Sequence, residues 1–161
     1  MFREMRRNGQ LLPEEEIGRI LERNTSGVLA VSGDEGYPYT VPMSYVYMNG
    51  KIYFHCAQEG HKIDAIKRSD KVSFCVVDQD KIVGEEYTTY FRSVVAFGRA
   101  RILEGEDKRK PLVELCEKYY PGHLDITEPK VAGALGRVCL IELSIEHVTG
   151  KEALELAKSR H

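Results

Sequence analysis

Residues 37–69 read YPYTVPMSYVYMNGKIYFHCAQEGHKIDAIKRS, and the fold is decided in this stretch. Residues 37–48 alternate as a strand. Tyr39, Val41, Met43, Tyr45 and Tyr47 share one face, and Thr40, Pro42, Ser44 and Val46 share the other. Pro38 and Pro42 cannot donate to a ladder, so the strand is expected to bend or leave its neighbour near Pro42. Asn49-Gly50 is the strongest short-range hairpin signal a sequence offers. It returns the chain into a second strand at 51–56, with Ile52, Phe54 and Cys56 on one side and Tyr53 and His55 on the other. Gly60-His61-Lys62 then opens a short helix over 61–68. A glycine that frees the backbone, followed by a polar and a cationic side chain at a helix N-terminus, suits a phosphate, because bare N–H groups and the helix dipole both favour an anion there.

Outward from this segment, Pro13 and Glu14 to Glu16 mark a helix start, with Ile17, Ile20 and Leu21 at helical spacing behind them. Short apolar strands are expected at 28–31 and 72–77, and a polar loop at 78–86. Residues 87–103 read as one long β segment with a bulge or tight bend at Gly98. A helix over 106–120 accommodates Pro111 only if it begins before that residue. A weak helix near 128–135 and a last strand over 138–148 complete the count, and the tail from 151 to 161 is helical or frayed. Six strands in short antiparallel connections, with three or four peripheral helices, favour one closed barrel over a parallel sheet. The whole chain, 1–161, is expected to be a single domain with its core at about 13–150.

Composition narrows the function. The 161 residues carry a net charge of -2, with 42% hydrophobic and 30% charged residues, an ordinary globular mixture without the basic excess of a nucleic-acid-binding surface. No apolar run approaches the length that spans a bilayer, and the basic N-terminus lacks a signal peptide's apolar middle. The four cysteines, Cys56, Cys75, Cys116 and Cys139, lack metal-type spacing and read as small core residues. With the rest, they give the expectation of a cytoplasmic protein. The five histidines are scattered, so no metal site is expected.

The same residues carry a resemblance. GYPYTVPMSYVY, GKIYFHCAQEGHKIDAIKRSDKVSFCVV and SVVAFGRARILEG are similar to the flavin-binding split barrels related to pyridoxamine-phosphate oxidase, and more narrowly to the nitroimidazole-resistance (Nim) branch. The likeness covers roughly residues 13–150, and the run from Ile52 to Val77 is its most specific part. It implies a mainly β fold: a six-stranded antiparallel split barrel with Greek-key character, homodimeric, with FMN at the dimer interface. It places the isoalloxazine along Pro42, Met43, Ser44 and Tyr45 and along Phe54, His55 and Cys56. The phosphate falls at Gly60, His61 and Lys62, and Arg92, Ser93 and Val94 are implied to close the site from the second subunit. His61 matches the functional histidine of the Nim branch and is the candidate catalytic residue. The arginine–histidine pair that grips pyridoxal phosphate in the true oxidases has no counterpart in the C-terminal VTGKEALELAKSRH.

The expected activity is therefore that of an FMN-dependent oxidoreductase reducing a flat, electron-poor acceptor such as a nitroimidazole or quinone. Reduced nicotinamide, NAD(P)H, is the donor, visiting the flavin site transiently because no dinucleotide fingerprint is present. The alternatives are a non-enzymatic flavin sensor or store, and a haem-binding barrel that uses a histidine. The residues alone also admit plainer readings. His61 and Lys62 are then a solvated helix start, His55 a structural histidine, and the tyrosines cross-strand packing.

Overall fold

The computed structural model describes residues 1–160; His161, counted in the expected domain, lies outside the described residues. Seven strands form one antiparallel sheet: β1 (Ser26–Ser32), β2 (Pro38–Ser44), β3 (Val46–Met48), β4 (Lys51–Cys56), β5 (Lys71–Val83), β6 (Thr88–Ile102) and β7 (Cys139–Glu152), in the order β2-β1-β5-β6-β7-β4-β3. Five helices surround it: α1 (Glu14–Arg23), α2 (His61–Arg68), α3 (Arg109–Tyr119), α4 (Leu124–Ala134) and α5 (Leu154–Ser159).

The expectation of six strands in a closed barrel is corrected on both counts. The segment read as one strand is two, because the chain changes neighbours at Tyr45: β2 pairs with β1, and β3 pairs with β4. These two strands are the opposite edges of the sheet, and no ladder joins them, so the sheet is not closed. One residue links the edges, which forces the sheet to roll. The break falls at Tyr45 rather than near Pro42, which still pairs with Val28. Pro38 and Pro42 lie four apart on an edge strand, so their missing N–H groups share one side of the ladder, the side where no partner needs them.

The Asn49-Gly50 turn forms as expected, with φ of 53° and 74°, the left-handed pair a two-residue hairpin needs. The helix over 61–68 also forms as read. Pro111 is tolerated because α3 begins at Arg109, which leaves the proline in the first turn, where N–H groups have no helical partner anyway. The expected polar loop at 78–86 is instead mostly strand. β5 continues to Val83, with a register shift between Val77 and Gln79, and pairs with β6 throughout.

Two apolar clusters hold the sheet. The larger lies inside the roll, where Ile17, Ile20 and Leu21 of α1 and Ile63 and Ile66 of α2 meet Leu29, Phe54, Phe74, Val94 and Ile141. The smaller lies on the other side of β3, β4 and β7, where Val46, Tyr53 and Leu140 are covered by Leu112 and Leu115 of α3 and Val131 of α4. β4 is thus buried on both faces along Ile52, Tyr53 and Phe54. Gly98 sits at the β6 bulge, where the register with β7 shifts. A Cβ there would stand 2.0 Å from the Ser144 carbonyl oxygen, so only glycine lets the two backbones approach this closely.

Candidate functional site

α2 starts at Gly60, whose φ of 143° is open to glycine and strained for other residues. No side chain caps this N-terminus. The Asp64 N–H bonds back to the Gly60 carbonyl, and Lys62, in the same turn, is half-buried. The ring of His61 turns away from this end. It stacks on Tyr39 at 4.0 Å between centroids, and its Nε2 lies 3.7 Å from Oδ2 of Asp34, whose Oδ1 accepts from Arg68 at 2.8 Å. That Nε2 is buried and has no hydrogen-bond partner. Asp34 and Tyr39, which fix the ring, escaped the sequence reading, because the β1–β2 turn meets α2 only in the folded chain.

The strand residues divide by face. Met43, Tyr45 and Phe54 are buried in the core, Met43 paired with Gly27 of β1 and Phe54 with Ile141 of β7. Pro42, Ser44 and His55 are exposed on the outer side, and Cys56 is half-buried at the end of β4. Between these sets stands the break at Tyr45, and α3 holds it. The Tyr119 hydroxyl lies 2.8 Å from the Tyr45 carbonyl and 2.6 Å from that of Thr25, and accepts from the Tyr45 N–H at 3.1 Å. Lys118 donates to the Tyr45 carbonyl at 3.2 Å and to that of Asn24, with its ammonium 4.1 Å from the centre of the Tyr45 ring. The Tyr45 hydroxyl donates to Leu21 at 2.6 Å. Backbone groups freed by a strand crossing are thus satisfied by two side chains some 74 residues away, a pairing no local pattern announces.

Lys118 has no carboxylate partner among the described residues, and burial pushes its amine down to about 8 from 10.5. Between those pH values the unfolded chain keeps a proton that the folded chain has shed, so stability rises with pH across that window. Lys118→Met is expected to flatten the rise. Urea unfolding of both chains below and above the window checks this, and an identical pH slope in the two would contradict it.

Arg92, Ser93 and Val94 separate from one another. Val94 is a core residue, 1% exposed. Ser93 sits between Val77 and Lys151. Arg92 is engaged within its own chain, 3.2 Å from Glu152 and 3.4 Å from Asp78. Glu152 is fully buried and also pairs with Arg160. Burial opposes ionisation of Asp78, but hydrogen bonds from Arg23, Asn24 and Arg92 outweigh it and hold the carboxyl below its usual range. This network anchors the bulge in β5 to the end of α1.

Cavities of about 540, 490 and 280 Å³ are present, and none is lined by Gly60, His61 or Lys62. At the start of α2, Gly60 is exposed and His61 and Lys62 are half-buried. No group of three His, Cys, Asp or Glu side chains among the described residues is placed to hold a metal ion. Among the described residues no helix is long and apolar enough to cross a membrane.

The family model described as pyridoxamine 5'-phosphate oxidase matches residues 13–152, and the chain belongs to that family. No curated protein matches the chain. Among solved structures, a candidate 5-nitroimidazole antibiotic resistance protein from Bacteroides thetaiotaomicron is 25% identical, with a TM-score of 0.74, covering 88% of this chain and 86% of its own. An FAD-binding protein from Mesorhizobium loti is 28% identical, with a TM-score of 0.66, covering 89% and 97%. A conserved hypothetical protein from Mycobacterium tuberculosis is 22% identical, with a TM-score of 0.80, covering 92% and 90%, and shows the shared fold.

The features at α2 fit a flavin's phosphate tail. An uncapped helix start, a glycine in a backbone conformation that admits close approach and an adjacent lysine are what an anionic group at this place would use.

Proposed function

We propose that the protein is a homodimeric FMN-dependent oxidoreductase that reduces a flat, electron-poor acceptor such as a nitroimidazole or quinone, with NAD(P)H as donor. The observation that carries this reading is the uncapped start of α2 at Gly60, with Lys62 at hand, in a chain of the pyridoxamine 5'-phosphate oxidase family. The names of solved relatives, an FAD-binding protein and a candidate nitroimidazole resistance protein, support a flavin and such an acceptor. FMN is preferred to FAD because a single helix start with a single lysine matches one terminal phosphate. A bound flavin would supply the redox chemistry, and the chain would bind it, orient it and exclude water. First-turn N–H groups and Lys62 hold the phosphate. The backbone at Ser44 and His55 lines the ring, and Tyr119 and Lys118 fix the strand crossing that presents Ser44.

The dimer reading has two supports. On the outer face of β2, β1, β5 and β6, Pro42, Val28, Cys75 and Val95 lie in one cross-strand row. Val28, Val77 and Phe97 on that face are 40%, 58% and 37% exposed, an apolar surface suited to a second copy. Residues 79–83 and 88–91 also pair with each other beyond the last rungs shared with β1 and β7. They form an arm with Ile82 78% and Tyr87 97% exposed, long enough to reach a neighbour. Sedimentation is expected to give twice the 18.3 kDa chain mass. A monomer that retains FMN would sink the composite site.

His61→Gln separates binding from proton transfer. An imidazole that only seats or braces the phosphate end affects cofactor affinity and leaves turnover at saturating FMN unchanged. An imidazole that protonates the reduced acceptor gives a rate that falls as pH rises through the imidazole range, and the variant loses both the rate and that dependence, by about 10²-fold. The stacking on Tyr39 and the tether to Asp34 favour the first outcome.

A further inference from the structure

Two of the four cysteines face each other. Cys56 ends β4 and Cys139 begins β7, and they are direct partners in the antiparallel register. Opposed residues in such a ladder stand about 4.5 or 5.5 Å apart at Cα, and both separations fall within the roughly 4.4–6.8 Å that a disulfide spans. Both side chains point into the roll, Cys139 in the core cluster and Cys56 packed against it. Both are free thiols. The remaining two are isolated from this pair: Cys75 stands between Val28 and Val95, and Cys116 is on α3. Core packing alone asks for apolar volume at these two positions. It does not ask for sulfur opposite sulfur.

The pair is not sealed off. Cys139 lines a cavity of about 490 Å³ between α2 and β6, where Arg101 is paired with Glu142 and Lys108 donates to the carbonyls of Leu135 and Val138, which leaves Lys67 and Lys108 against Glu104 and a net positive lining. The surplus of cations suits an anionic guest.

We propose that Cys56 and Cys139 are a redox-active dithiol whose substrate is an anionic low-molecular-weight disulfide. One cysteine sulfur, deprotonated, attacks the small disulfide, which breaks its S–S bond, releases one small thiol and leaves a mixed disulfide on the protein. The second cysteine sulfur then attacks the protein sulfur of that mixed disulfide and releases the other small thiol. The two protein S–H protons end on the two released thiols. The protein dithiol is oxidised by two electrons, and the small disulfide is reduced by two. Burial holds the Cys56 thiol up at about 12, with the neighbouring Cys139 adding to this and Lys62 opposing it, so the exchange runs over hours rather than seconds.

The test uses the full reduced chain, without flavin, incubated with excess glutathione disulfide. Free thiols are counted after denaturation, and intact mass and peptide maps are recorded. The expected result is a fall from four thiols to two, a mass lower by two hydrogens, and a cross-linked peptide joining Cys56 and Cys139. Cys139→Ser is expected to abolish the cross-link, and Cys75→Ala to keep it. Four thiols persisting throughout, or glutathione adducts without the Cys56–Cys139 peptide, would overturn the proposal. The peptide map of the unmodified chain decides even if Cys139→Ser fails to fold. Because no flavin is present, the outcome is independent of whether the protein binds one.

Discussion

Phe74→Ala is expected to cost about 3–5 kcal/mol of folding stability, the range for removing a fully buried aromatic ring. The ring is 1% exposed at the centre of the larger cluster. It makes edge contacts with Tyr45 at 5.1 Å and Phe54 at 5.0 Å, so its loss removes two aromatic pairs as well as buried area. It also fills the space over Gly27, where a Cβ would stand 2.4 Å from its Cζ. The cavity left behind is therefore bounded by β1 backbone and by the strand crossing at Tyr45, neither of which can move in to close it. Urea unfolding should show a lower midpoint with an unchanged slope. Phe74→Leu, which keeps most of the volume, should cost less than half as much. A loss below about 1 kcal/mol for the alanine variant would mean that this ring is not the centre of the packing.

The second large effect is on binding. Lys62→Ala is expected to weaken FMN binding by roughly ten- to a hundredfold, the equivalent of about 1.5–3 kcal/mol for one charge-assisted hydrogen bond. Lys67→Ala, one turn further along the same helix and away from its N-terminus, should leave the affinity near its original value. The ratio between the two variants should narrow as salt is added, because Gly60 is exposed and Lys62 only half-buried, so ions can screen the charge there. Fluorescence titration of FMN against each variant supplies the constants. Equal affinities for the two would remove the phosphate from α2.

Features written in short-range chemistry were legible. The Asn49-Gly50 turn, the helix opened by Gly60 and the bulge at Gly98 each depend on residues a few positions apart, and each formed where read. Strand alternation grouped Met43 with Tyr45 and set Pro42 and Ser44 on the opposite face, and the first two are buried and the second two exposed, but which face met the core was not readable from the alternation. The misreadings fall where distant residues decide. Proline chemistry pointed to a break near Pro42, but an edge strand tolerates the missing N–H, and the break lies where Tyr119 and Lys118 can satisfy the freed groups of Tyr45. The polar run Asp78-Gln79-Asp80-Lys81 looked like a loop. Asp78 is instead drawn into the sheet by Arg23, Asn24 and Arg92, a set gathered from three elements. Arg92 joins the same network, paired with Asp78 and Glu152. The orphaned Nε2 of His61 was beyond sequence reading too, because it follows from how the β1–β2 turn packs on α2.

The most direct measurement is the visible spectrum of the purified protein, followed by release and chromatography of any bound chromophore and by titration with FMN. The expected result is flavin absorption bands, release of FMN, and reconstitution at one FMN per chain in a dimer of twice 18.3 kDa. A Soret band, release of FAD in place of FMN, or a colourless protein that cannot be reconstituted with FMN would contradict it.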